Sequence, residues 1–156
     1  MAKEKLKRII TLVTRAQARR GTRFSIKIHS TCKKCPFLNA CIGKLREGLT
    51  YEVVNVRKIS HICPLTKAEM VVVEVIEVPK TIALPSKMAM EGVILTYKPI
   101  QCNYYTCPYY EYCFPKGFRS REKIIIERII SSVKCPKRIN LKLVSVRRLA
   151  AFEKLF

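Results

Sequence analysis

The stretches CPFLNAC (Cys35–Cys41) and CPYYEYC (Cys107–Cys113) share the pattern C-P-x4-C and lie 72 residues apart. Each lies inside a longer cysteine pattern, which reads C-x2-C-x5-C-x21-C in the first half of the chain and C-x4-C-x5-C-x21-C in the second. Chance does not readily reproduce both the x5 and the x21 spacing in a chain of 156 residues. We therefore interpret the chain as the product of an internal duplication.

Apolar runs around the cysteines repeat as well. A Val/Ile-rich run follows the third cysteine of each set, at 51–56 and 123–128, and another follows the fourth, at 70–75 and 141–146. Such residues favour pleated, half-buried strands. The sequence therefore predicts a mainly β fold of two pseudo-repeated small β lobes, each with a four-cysteine metal knuckle, plus one or two short helices.

The pattern divides the chain into five segments. One short helix is expected at Ser86–Gly92, with Ser86 as its N-cap and Gly92 as its stop, and a second within Arg147–Leu155. The predicted segments are a basic N-terminal extension with the first strand (1–23), the first four-cysteine β repeat (24–80), a connecting segment with a short helix (81–93), the second four-cysteine β repeat (94–146) and a basic and apolar C-terminal tail (147–156).

The eight cysteines indicate metal binding. The N-terminus lacks the features of a signal peptide and no apolar run approaches the roughly 20 residues needed to cross a bilayer, so we expect a cytoplasmic protein without a membrane partner. In a reducing compartment, clustered cysteines point to metal rather than to disulfides, although intracellular proteins of hyperthermophiles are an exception.

Four thiolates held by two turns and a strand end form a closed tetrahedral site of the kind that holds structural zinc. We expect two zinc ions, with one or two [4Fe-4S] clusters as the alternative, because Cys-Pro also accompanies the ligands of ferredoxin clusters. His61 lies two residues before Cys63 and could substitute as a ligand, but four cysteines already fill that site, so we expect His61 beside it or at the surface. The candidate ligands are Cys32, Cys35, Cys41 and Cys63 in the first repeat, and Cys102, Cys107, Cys113 and Cys135 in the second.

Four motifs together, CKKCPFLNAC, HICPL, ALPSKMAMEG and CPYYEYCFP, resemble the uncharacterised archaeal protein family 0179. The similarity runs from about Ile10 to Val146 and leaves out the basic start MAKEKLKR and the tail RRLAAFEKLF. The resemblance implies an archaeal, cytoplasmic protein and all eight cysteine positions, and it names no reaction.

The charge of the chain favours a polyanionic partner. Lys and Arg number 31 against 11 Asp and Glu, which gives a net charge of +20. The excess lies at the two ends, with nine basic residues and one acid in 1–31 and twelve basic residues and three acids in 114–156. Nucleic acid is the usual partner of such a surface. A solvated, merely basic surface is the alternative for each cluster of cations.

Arginines and tyrosines supply the candidate contacts to nucleic acid. Arg offers fork geometry for phosphates, and an exposed Tyr on a rigid knuckle can stack on an unpaired base. Packing around the cysteine site is the alternative role of the tyrosines. The candidates are Arg15, Arg19, Arg20, Arg23, Lys116, Arg119, Arg121, Lys137, Arg138, Arg147, Arg148, Tyr105 and Tyr110.

These features predict a non-catalytic, metal-binding protein that associates with structured RNA such as the ribosome. The sequence contains no Gly-rich phosphate loop, no zinc-deaminase motif and no evident small-molecule site, so an enzyme is not the expected class. Two alternatives remain, namely an iron–sulfur protein with a redox or RNA-modification role and a DNA-binding zinc protein. The sequence shows no recognition helix, which argues against the DNA-binding alternative.

Overall fold

The alternating Val and Ile runs form the strands of two separate antiparallel sheets. The computed structural model describes residues 6–28, 30, 32–36, 38, 41 and 43–152. These residues divide into two units between Val78 and Pro79, and each unit contains one four-stranded sheet. The protein is therefore mainly β, as the sequence predicts. The helices of the described part are too short and too polar to cross a membrane.

Both sheets have the same strand order, and their three longer strands have the same lengths. The first follows the order β1-β4-β3-β2 and the second the order β5-β8-β7-β6. In each unit a strand of 12 residues pairs antiparallel with one of nine, which pairs in turn with one of six. The strands are β1 (Ile9–Thr14), β2 (Arg23–Phe24), β3 (Tyr51–Ile62) and β4 (Glu69–Glu77), then β5 (Lys80–Pro85), β6 (Ile94–Thr96), β7 (Lys123–Lys134) and β8 (Asn140–Arg148).

The duplication extends further toward the N-terminus than the cysteine pattern indicates. Strands β1 and β5 occupy equivalent places in the two sheets, next to β4 and β8. The segment 81–93, interpreted from sequence as a connection, thus contains most of the first strand of the second sheet. Gly21 and Gly92 mark a second shared feature: each has a positive φ, 87° and 80°, just before the short strand. Only glycine adopts this conformation without cost.

Alternation along the strands gives the second sheet two covered faces. Ile82, Leu84, Ile124 and Ile126 belong to a buried cluster on one face. Ala83, which lies between the first two, belongs to a different cluster that contains Cys113. Successive strand residues point to opposite faces, so one side of the sheet supports the core and the other supports the cysteine site.

The helices differ from the sequence-based expectation. The predicted helix Ser86–Gly92 is a single 3-10 turn, Ser86–Met88, with Pro85 at the N-terminal cap position, because the backbone leaves the helical conformation at Ala89, where ψ is 84°. Strand β8 runs through Arg148, so only the 3-10 helix Leu149–Ala151 forms in the tail, and residues 153–156 lie outside the described part. One α-helical turn that the sequence reasoning missed, α1 (Tyr110–Cys113), carries the third cysteine of the second repeat.

Candidate metal centres and cationic surface

All four cysteines of the second repeat line one cavity, which we call the second cavity. Its volume is about 20 Å³, which is room for roughly one water-sized atom. Cys102 and Cys107 come from the knuckle loop, Cys113 ends helix α1, and Cys135 follows strand β7. The remaining lining is mostly apolar and aromatic and includes Ile100, Val133, Leu141, Tyr109 and Phe114.

Backbone amides point at two of these sulfurs. The N–H of Tyr104 donates to Sγ of Cys102, and the N–H of Tyr109 donates to Sγ of Cys107, each at 3.4 Å. Each donor lies two residues after its cysteine, so both turns are folded around the sulfur.

Cys113 is the buried member of the second set, with a relative exposure of 9%. Burial, followed by the neighbouring Cys107, Cys135 and Cys102, raises the pKa of its thiol to about 11. All four cysteines line the same cavity, so their thiols share one environment. A bound cation would reverse this effect, because coordination deprotonates a thiol outright.

Three cysteines of the first repeat line a cavity of the first unit, which we call the first cavity. Cys35, Cys41 and Cys63 share it with His61 and with apolar residues that include Leu12 and Met70, and its volume is also about 20 Å³. The hydroxyl of Thr11 on strand β1 donates to the carbonyl of Cys41. This contact fixes the third cysteine to the sheet.

A tight turn after strand β3 presents Cys63. Its N–H donates to the carbonyl of Ala68 at 2.9 Å, and its own carbonyl accepts from the N–H of Lys67 at 2.8 Å. The pKa of the Cys63 thiol is lowered, first by the side-chain hydrogen bond from Thr66 and then by the Thr66 backbone, with smaller effects of Leu65 and Lys67. The turn thus favours a thiolate at this position.

The thiols surround these cavities without meeting at a point. All eight cysteines are free, with no disulfide among them. Within the described ranges, no group of three or more His, Cys, Asp or Glu side chains is already assembled as a metal site. Cys32, the first cysteine of the chain, lies in the 3-10 helix Cys32–Lys34, and its carbonyl accepts from the N–H of Cys35 at 3.1 Å.

His61, which the sequence predicts beside the first site or at the surface, lines the first cavity together with three cysteines. The spacing explains this position, because His61 lies two residues before Cys63 at the end of strand β3 and strand residues two apart share a face.

Most of the arginine and lysine candidates lie at the surface. Arg19, Arg20, Lys116, Arg119, Arg121, Lys137 and Arg138 are all exposed. Two others are exposed but ion-paired: Arg15 binds Glu69 through two nitrogens, and Arg23 Nε lies 3.0 Å from Glu52 Oε1. The pKa of Glu69 is lowered, chiefly by its hydrogen bond from Arg15.

Arg147 and Arg148 are placed differently from the other candidates. They lie on strand β8 with side chains only 16% and 11% exposed. Arg147 NH1 lies 2.6 Å from Glu127 Oε1, and Arg148 NH1 lies 3.8 Å from Glu122 Oε2. Arg147 thus pairs across the sheet with a carboxylate of strand β7, and Arg148 lies near a carboxylate of the residue just before that strand.

The two candidate tyrosines form part of a chain of aromatic rings. Tyr105 is 71% exposed, and its ring meets the edge of Tyr110 at a centroid distance of 5.7 Å. Tyr110 is half-buried and stacks on Phe114 at 4.7 Å. Tyr105 is therefore an outward-facing ring held by a packed one. Lys137 lies nearby, since its Nζ donates to Asn103 Oδ1 at 2.9 Å and Asn103 accepts from the N–H of Tyr105.

Together these features define a duplicated β protein in which each sheet carries a small cysteine-lined cavity and a basic surface. Comparison with known proteins places it in a family. The chain belongs to the uncharacterised protein family UPF0179, whose family model matches residues 9–146. The resemblance predicted from the cysteine motifs is thus confirmed.

Relatives in several archaea cover most of the chain. A UPF0179 protein of Methanocaldococcus jannaschii is 36% identical over 139 residues, which cover 88% of this chain and 92% of the relative. One from Archaeoglobus fulgidus is 32% identical over 149 residues, covering 93% and 97%. One from Pyrobaculum calidifontis is 38% identical over 132 residues, covering 83% and 68%. No solved structure matches the chain.

Proposed function

We propose that this protein is a non-catalytic metal-binding protein whose cysteines hold one zinc ion in each unit and whose basic surface binds structured RNA such as that of the ribosome. The observation that carries the metal proposal is the second cavity, because four cysteines from a loop, a helix and a strand end line it. A closed all-cysteine set of this kind suits structural zinc.

The cysteine spacing favours a single ion over an iron–sulfur cluster. Ligands of ferredoxin-type clusters follow the pattern C-x2-C-x2-C, whereas five residues separate the second and third cysteines of both repeats. A zinc ion would draw the thiols inward, since metal binding and local folding are coupled in such sites. Cys113 would lose its proton on binding.

Metal analysis of anaerobically purified protein tests this proposal. We expect two zinc ions per chain in the wild type and one in Cys113→Ser. The exposed Met90→Ala variant of the same unit is the matched control and should keep both. Absence of bound metal contradicts the proposal, and a brown protein that absorbs near 400 nm supports the iron–sulfur alternative instead.

Charge supports the RNA part of the proposal. The net charge is +20, and at least seven candidate cations are exposed to solvent. Cations that neutralise phosphates release counterions, so affinity falls steeply with salt. If about six phosphates are contacted, binding should weaken by roughly a thousandfold between 50 and 200 mM salt. A binding constant that does not change over this range contradicts the proposal.

Tyr105 supports recognition of unpaired bases next to that charge. Its exposed ring offers a stacking face, and Lys137 and Arg138 are exposed close to it in the second unit. Titration with single-stranded RNA, duplex RNA and duplex DNA of equal length separates the possibilities. We expect structured RNA with unpaired segments to bind most tightly, and tighter binding of duplex DNA supports the DNA-binding alternative.

A further inference from the structure

A histidine lines the first cavity where a valine lines the second, and we infer from this difference that the metal site of the first unit uses His61 in place of Cys32. The inference rests on the proposed metal-binding function and specifies the ligands of one of its two sites. The second unit would keep four cysteines.

The position in question is equivalent in the two repeats. His61 lies two residues before Cys63 at the end of strand β3, and Val133 lies two residues before Cys135 at the end of strand β7. Since strand residues two apart share a face, both side chains line their cavities. Valine has no donor atom, whereas a neutral imidazole is a common zinc ligand.

The donor set around the first cavity is complete with His61. Three thiols, of Cys35, Cys41 and Cys63, and one imidazole line it. Three cysteines and one histidine form one of the ordinary tetrahedral zinc sets. Strand pairing fixes the histidine in place, because His61 lies opposite Met70, which lines the same cavity.

The cysteine spacing agrees with this exchange. The two cysteine patterns differ only in the gap after the first cysteine, which is two residues in the first repeat and four in the second. The longer gap separates Cys102 from Cys107, and Cys102 lines the second cavity. The shorter gap places Cys32 in a 3-10 helix that directly precedes Cys35. The one cysteine whose spacing changed is thus the one for which a histidine is available.

Cobalt binding to the full-length chain tests the inference, since thiolate-to-cobalt absorption reports the number of sulfur ligands. We expect two Co²⁺ ions per chain in the wild type and in Cys32→Ser, with unchanged spectra and affinities within twofold. His61→Ala should weaken one of the two sites by at least tenfold. The Ile59→Ala control alters an exposed residue of the same strand and should match the wild type.

Two further measurements keep the inference testable if His61→Ala disturbs the fold. His61→Cys should bind two Co²⁺ with stronger thiolate absorption, because one sulfur is added. Alkylation of the zinc-loaded wild type should modify one cysteine, Cys32, since the other seven are ligands. Loss of an ion in Cys32→Ser, or protection of Cys32 from alkylation, overturns the inference, whereas a wild type that binds no Co²⁺ or Zn²⁺ refutes the proposed function itself.

Discussion

Replacement of Tyr105 by alanine isolates the proposed contact with unpaired bases. Its side chain is 71% exposed and its ring contact is the edge of Tyr110, so few packing interactions depend on it. We therefore expect the free energy of unfolding to change by no more than about 0.5 kcal/mol. The fold should stay intact while the binding face is lost.

The size of the binding effect follows from the single exposed face. One aromatic ring stacks on one base, which contributes about 1–3 kcal/mol by alanine substitution. Tyr105→Ala should therefore raise the Kd for single-stranded RNA by roughly 5- to 150-fold. Tyr105→Phe keeps the ring and should bind within about twofold of the wild type.

Tyrosine fluorescence offers a direct assay. The chain has no Trp, so its intrinsic emission comes from seven tyrosines, and a base that stacks on Tyr105 should quench part of it. Tyr97→Phe, at a site only 3% exposed, is the control and should leave RNA-dependent quenching unchanged. If Tyr105→Ala binds RNA as tightly as the wild type while its fold is intact, Tyr105 is not a stacking platform.

Three further predictions concern stability and charge. Ile126 has no exposure, and Ile126→Ala should lower the free energy of unfolding by about 2–5 kcal/mol in chemical denaturation. Ile130 is 44% exposed on the same strand, and Ile130→Ala should lower it by about 0.5 kcal/mol or less. Equal losses in the two variants would contradict the assigned core. Gly43→Ala would place a methyl 2.6 Å from the carbonyl oxygen of Leu38. We therefore expect the free energy of unfolding to fall by about 1–3 kcal/mol and metal binding in the first unit to weaken. An unchanged free energy of unfolding would show that this turn can move to accommodate the methyl group. The pKa of the Glu69 carboxyl, followed by NMR, should lie below its ordinary value in the wild type. In Arg15→Ala this pKa should rise, since the charged carboxylate loses its partner. An identical titration curve in the two proteins would show that the ion pair is not formed in solution.

The sequence identified the duplication because thiol spacing survives as an exact pattern. The x5 and x21 gaps and the Val/Ile runs predicted the long strands β3, β4, β7 and β8. Each of these strands has a buried face, and period-two burial is readable from residue type alone. The family resemblance came from the same motifs.

The first strands of the repeats were harder to recognise. IITLVT in β1 and KTIALP in β5 share little beyond apolar character, and their equivalence becomes evident only from their pairing with β4 and β8. The predicted helix at Ser86–Gly92 failed for a local reason. The backbone leaves the helical conformation at Ala89, so only one 3-10 turn forms after Pro85.

The roles of the cations could not be read from composition. Arg147 and Arg148 look like a basic cluster in the sequence, yet strand β8 places them against carboxylates of strand β7 and of the loop before it. His61, in contrast to these two arginines, lies at a candidate site, because strand alternation places it on a cavity lined by three cysteines. Ion pairing and cavity lining depend on register between strands, which a single sequence does not specify.

The most direct test of the account is X-ray absorption at the zinc edge of anaerobically purified protein. With four cysteines in one site and three cysteines and His61 in the other, we predict two zinc ions per chain and a first shell dominated by sulfur at about 2.3 Å, with a minor nitrogen contribution at about 2.0 Å. A first shell of oxygen and nitrogen alone, or a chain that carries no zinc, would contradict the claim that the paired cysteine sets exist to hold metal.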